Sequence, residues 1–258
     1  MEFKFFGNRK ERPQTQKTIS TAEVKKQHEL GKEGFKPIRA CLIDSTKPLD
    51  EITIEAIERI KKDGLFVDYD GENTFLEKNN LRNAGENSYV ISESNEEPKY
   101  TERVCNCTVV VGVGEEIGSK KQISFMSHQD PDAFLSDKKE NFTTDLIEAT
   151  QEFKKKVKEN SIDILVLGGR TGFWDEYEES IKCVADVFTK EFSLEPTIMT
   201  GPNTKMNRAE IDFNRDSTGV YLDTQNRRLY ILRPSQESKV NEDYLPSELE
   251  NKKKDWGN

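Results

Sequence analysis

Apolar residues in this chain are gathered into short runs separated by long polar stretches, and their spacing predicts most of the elements. Between Pro48 and Gly64, Ile54, Ile57 and Ile60 recur at helical spacing, with Asp50 or Thr53 as N-cap and Gly64 as a left-handed stop. Leu65 to Tyr69 reads as a strand turned by Asp70-Gly71, and Tyr89 to Ile91 as a second, shorter one. From Tyr100 the runs lengthen. Strands are predicted over 103–113 and 121–128, joined by a Gly-Glu-Glu-Ile-Gly-Ser-Lys-Lys turn. A helix over 142–159 puts Leu146, Ala149, Thr150, Phe153 and Val157 on one face. Ile162 to Leu167 is a buried strand ending in Gly168-Gly169. A second helix over 174–191 turns Tyr177, Ile181, Val184, Ala185 and Phe188 inward. Four strands close the pattern: Pro196 to Met199, Ala209 to Phe213, Gly219 to Leu222, and Arg228 to Leu232.

This order of elements is that of an α+β protein. The expected organisation is a polar, disordered segment over 1–20, an N-terminal extension of helix and strands over 21–86, a main domain over 87–233, and a disordered acidic tail over 234–258. With 33% apolar and 34% charged residues, a core exists only if it is concentrated in those runs. A net charge of −9 argues against nucleic acid as partner, because phosphate neutralisation needs a basic surface. No run approaches the ~20 apolar residues of a membrane span, and Met1 to Gly7 lacks the apolar region of a cleaved signal, so folding in a cytosol and no membrane contact are expected. A monomer is expected. The four cysteines then read as thiols rather than disulfides, and Cys105-x-Cys107 is tighter than a zinc knuckle, so no metal and no cofactor are called for.

The chemistry is concentrated where two runs meet. Cys107 opens the run Cys107-Thr-Val-Val-Val-Gly-Val113, and the next run, Ile123-Ser-Phe-Met-Ser-His128, ends on one of only two histidines. A thiol near pKa ~8.5 is only slightly ionised at neutral pH, and a neighbouring imidazole takes its proton and later returns it to a leaving group. A third group must fix the imidazole, and Thr101, Asp130 and Asp132 are the candidates. The plainer alternative makes Cys107 a small buried hydrophobe and His128 a satisfied strand-end residue. Two glycine-rich segments carry less. Gly112-x-Gly114-x-x-x-Gly118 lies between two strands where a dinucleotide fingerprint must open a helix, and Gly168-Gly-Arg-Thr-Gly172 lacks the lysine of a P-loop.

Val104-Cys-Asn-Cys107-Thr-Val-Val-Val resembles the Leu-Gly-Ser-Cys motif and following strand of the CheD-type chemoreceptor glutamine deamidases. The catalytic domains of the cytotoxic necrotizing factors and Burkholderia lethal factor share that motif in similar form. Several members carry a threonine six residues before the cysteine, as Thr101 stands before Cys107. Phe125-Met-Ser-His128 is similar to the strand bearing the family histidine, and Gly201 to Phe213 with Ser217-Thr-Gly219 resembles the late glycine-rich loop, strand and Thr-Gly turn. The likeness covers about 87–232. It departs where the motif's glycine and serine are Cys105 and Asn106, and in a cysteine-to-histidine interval longer than is usual.

The resemblance implies a mixed β-sandwich flanked by helices and a protein glutamine deamidase. Cys107 would be the nucleophile, His128 the base and Thr101 the orienting residue, with Cys105, Asn106, Gly169, Arg170 and Asn203 lining the substrate pocket. The implied partner is a protein with an exposed glutamine: a host GTPase or translation factor for a secreted effector, or a chemoreceptor for a housekeeping enzyme. The unmatched N-terminal segment and glutamate-rich tail favour a bacterial effector passed into a host cytoplasm. Transglutamination, a cysteine protease, and a non-catalytic binding protein on the same fold stay open.

Overall fold

Strands β6 (Thr108–Glu115) and β7 (Gln122–Gln129) are buried on both faces; β6 accordingly runs almost wholly apolar, whereas β7 also buries Ser124, Ser127, His128 and Gln129. They form the centre of one sheet and pair antiparallel, Val109 opposite His128 and Gly112 opposite Phe125. β4 (Tyr89–Ser92) and then β3 (Leu81–Arg82) extend that sheet beyond β7, while β8 (Asp163–Leu167) and β9 (Thr197–Met199) extend it beyond β6. A second six-stranded sheet holds, in order, β12 (Glu242–Tyr244), β1 (Arg39–Asp44), β11 (Arg228–Arg233), β10 (Gly219–Asp223), β5 (Lys99–Thr101) and β2 (Leu65–Phe66). Both sheets are mixed. β1 pairs parallel with β11, β2 with β5 and β8 with β9. This computed structural model describes residues 36–44, 49–68, 81–82, 88–104, 107–130, 138–167, 175–199, 219–233 and 242–244.

Three apolar clusters show how the layers stack. Between the sheets, Val109, Val111, Val113, Met126 and Leu165 of one meet Val220, Leu222, Leu229 and Ile231 of the other. On the far side of the β6–β7 sheet, Phe125, Val110 and Ile164 meet Phe142, Leu146 and Phe153 of helix α2 (Lys138–Lys156). Val184 of helix α3 (Asp175–Asp186) and Phe188 of the π-helical turn that follows it (Val187–Glu191) join them. On the far side of the other sheet, Ile57 and Ile60 of helix α1 (Glu51–Asp63) cover Cys41, Ile43, Tyr221 and Tyr230. The class is therefore mixed α+β, with both sheets covered on their outer faces. No helix among the described residues is long and apolar enough to cross a membrane.

Several expectations change. α1 starts with Asp50 as N-cap, its carboxylate accepting from Thr53 N–H at 2.9 Å, but Ile54 is 37% exposed and the buried stripe is Thr53, Ile57 and Ile60. Gly64 does not stop the helix in a left-handed conformation; its φ is −101°. Glycine is needed there because a Cβ would lie 2.4 Å from Ile60 O and 2.9 Å from Pro98 O. The strand predicted over 103–113 begins only at Thr108, and Lys99–Thr101 before it is a separate strand, β5, in the other sheet. Arg103, at φ 61°, marks the crossing.

The boundary expected near residue 86 is also not a structural one. β1, α1 and β2 belong to the same compact unit as the later strands, because β1 lies between β11 and β12. Glu242–Tyr244, in the stretch expected to be a disordered tail, pairs antiparallel with β1. The predicted turn at Asp70-Gly71, strand over 209–213 and Gly168-Gly169 lie outside the described residues.

Gly112 faces the Phe125 ring, which packs edge-on against Phe153 5.2 Å away. A Cβ there would come within 2.3 Å of that ring. Gly112→Ala is expected to destabilise the fold by about 1–3 kcal/mol through overpacking, measured by urea denaturation; an unchanged midpoint would contradict this packing.

Candidate functional site

His128 stands near the end of β7 between two partners, Val90 of β4 and Val109 of β6. Directly opposed residues of antiparallel strands share a face. The inward neighbours Val90, Val109 and Met126 therefore place the imidazole in the space between the sheets. Cys107 comes two residues before Val109 and belongs to the same inter-sheet cluster. It directly precedes β6, whose Val109 stands opposite His128. Both are buried, with Cys107 5% and His128 1% exposed.

Thr101 reaches the same space from the opposite sheet. Its Oγ1 lies 2.6 Å from His128 Nδ1, and the threonine is fully buried. The expected orienting residue is therefore in contact with the ring, although it does so across the interior and not from a strand continuous with Cys107. Asp130, the alternative orienting residue, follows β7 and donates its backbone N–H to Ser88 O; Asp132 lies outside the described residues. The tautomer decides the sense of the Thr101 bond. With the proton on Nδ1, Thr101 Oγ1 accepts it and the basic lone pair sits on Nε2.

Burial governs the charge of this ring. Removal from water, helped by the positive Arg103 nearby, pushes the His128 pKa down to about 3. The imidazole is thus neutral at neutral pH. Cys41, Cys107 and Cys183 are thiols, not half-cystines. Among the described residues no group of three or more His, Cys, Asp or Glu side chains is placed to hold a metal ion. Cys105, Asn106, Gly169, Arg170 and Asn203, expected to line the pocket, lie outside the described residues.

One buried group was not foreseen. Lys99, two residues before Thr101 on β5, is fully buried and donates to Asn95 Oδ1 at 2.6 Å, Glu97 O at 3.1 Å and Ser124 Oγ at 3.1 Å. Its alternation with Thr101 was the available signal, but a three-residue strand is too short for that pattern to declare itself. No protein-family model matches this chain, and no curated protein matches it either.

Between the ordinary histidine value near 6.5 and about 3, the unfolded chain takes up a proton that the folded His128 refuses. Stability from this group is full above pH 6.5 and is lost as pH falls. The expected slope is up to about 1.4 kcal/mol per pH unit below that value. Urea midpoints from pH 7 to pH 4 should drop less steeply in His128→Gln than in the wild type; parallel curves would contradict a buried neutral imidazole.

Proposed function

We propose that this protein is a cysteine-dependent glutamine deamidase of the CheD-like type, acting on a glutamine of a protein substrate. One observation carries the reading: the 2.6 Å contact between Thr101 and His128, a pairing of residues that the resemblance singles out. The burial of Cys107 in the inter-sheet cluster, just before the strand that pairs with the His128 strand, adds to it.

In this reading Cys107 Sγ attacks the side-chain carbonyl carbon of glutamine while its proton passes to His128. Collapse of the tetrahedral intermediate breaks the C–N bond, and the imidazolium proton goes to the departing ammonia. Water then attacks the thioester, giving a proton to His128 that returns to sulfur as glutamate leaves. Thr101 holds the imidazole by its Nδ1–H throughout. Because the ring rests neutral, it acts as a general base and not as half of a standing thiolate–imidazolium pair. An amine in place of water gives transglutamination from the same thioester. The effector setting, with a host GTPase or translation factor as substrate, is the favoured one, and a chemoreceptor is the alternative.

The burial of Cys107 and His128 favours a second reading, a binding protein on the same fold that no longer turns over, since a carboxamide must reach the sulfur. Candidate substrates incubated with the protein separate the two. A deamidase adds ~1 Da per site or incorporates a primary amine, loses this in Cys107→Ala, and slows by about 10²–10⁴-fold in His128→Ala. Substrates that bind equally to wild type and Cys107→Ala without any mass change would overturn the enzymatic reading.

A further inference from the structure

Two strands from different sheets touch at two points. β5 carries Lys99 and Thr101, which share a face because side chains alternate along a strand. β7 carries Ser124 and His128, four residues apart and so also on one face. Lys99 Nζ donates to Ser124 Oγ, and Thr101 Oγ1 meets His128 Nδ1. The two contacts are rungs between the same pair of strands. A single rung lets one strand swivel about it, whereas a second rung fixes the angle as well.

The Lys99 rung is itself anchored. Asn95, which accepts from the ammonium through Oδ1, exchanges backbone hydrogen bonds with Ser124: Asn95 N–H to Ser124 O at 3.2 Å, and Ser124 N–H to Asn95 O at 2.9 Å. Ser124 Oγ lies 2.8 Å from Thr224 Oγ1, and Thr224 donates to Glu97 O at 2.7 Å. The lysine, the loop before β5, the middle of β7 and the β10–β11 turn thus close one buried polar circuit. Burial pulls the ammonium down to about 7, opposed by the Glu97 charge. Three hydrogen bonds from the Lys99 amine hold the loop before β5 against the middle of β7.

We propose that Lys99 is a positioning residue for the imidazole: by clamping β5 to β7 at Ser124, it fixes where Thr101 meets His128 and so holds the hydrogen bond at Nδ1. The kinetic part rests on the deamidase reading; the structural part does not. Lys99→Met keeps the chain length and removes the donors. In a His28→Gln background, where a single imidazole reports, the ¹⁵N signal of His128 Nδ1 should shift and broaden in Lys99→Met as its hydrogen bond to Thr101 loosens. Any deamidase kcat should fall about 10- to 100-fold, the cost of a small misplacement, with KM unchanged. Ser124→Ala removes only the β7 end of the rung and should shift the same signals less; it decides the matter if Lys99→Met does not fold. Phe153→Leu, which loosens the core behind the outer face of the sheet, should leave the imidazole signals where they are. Wild-type ¹⁵N signals in Ser124→Ala and in folded Lys99→Met would overturn the proposal, even with deamidation established. Moved signals in a protein that deamidates nothing would uphold the clamp while removing the enzymatic reading.

Discussion

A hydrogen bond between a threonine of one sheet and a histidine of the other, closed off from water, is the constraint on which the site depends. Neither Thr101 nor His128 has appreciable exposure. A polar atom buried without its partner costs about 1–3 kcal/mol. The two sheets must therefore approach at the one spacing and angle that lets a hydroxyl meet a ring nitrogen. That requirement explains the chain's course between Thr101 and Thr108, where it leaves one sheet and joins the other. Cys107 stands just before β6 and is buried in the inter-sheet cluster.

The electrostatics follow from the same burial. An imidazole in this position rests neutral, and Arg103 beside it reinforces that state. A neutral ring can accept a proton from a thiol but does not hold one in advance. In the proposed reaction the thiol's proton would pass to this ring as the sulfur attacks its electrophile. Behind the site, Lys99 and Arg227 show the same economy of placement. Each is a buried basic side chain that donates to backbone or side-chain oxygens, Lys99 to Asn95 and Ser124 and Arg227 to Val113 O and Ser161 O.

How much of this was legible in the sequence depended on how local the governing forces were. β7, β8 and α2 were readable because long apolar runs and a four-turn stripe leave few alternatives. Cys107 and His128 stood out in the sequence because both flank apolar runs in a chain with two histidines, and both are buried. The break between β5 and β6 was not, since Lys99-Tyr-Thr101 and Thr108 onward are equally good strand formers and the break is set by which sheet each can pair with. Nor was β1's place inside the main sheet, because a parallel pairing with β11 across most of the chain leaves no local trace. Gly64 was read as a left-handed cap when its real constraint is a neighbouring carbonyl from Pro98, a tertiary fact. The Lys99 clamp escaped for the same reason: its acceptors come from a loop and from a strand in the other sheet.

Alkylation of the thiols, followed residue by residue by peptide mass spectrometry, tests the central claim most directly. Cys41 provides an internal reference, being buried on the outer face of its sheet with its thiol pushed up by that burial. If Cys107 and His128 act as a pair, iodoacetamide at neutral pH modifies Cys107 faster than Cys41 or Cys183, and His128→Ala or Thr101→Val slows Cys107 alone. A Cys107 that reacts no faster than Cys41, and that is indifferent to both substitutions, would contradict the account.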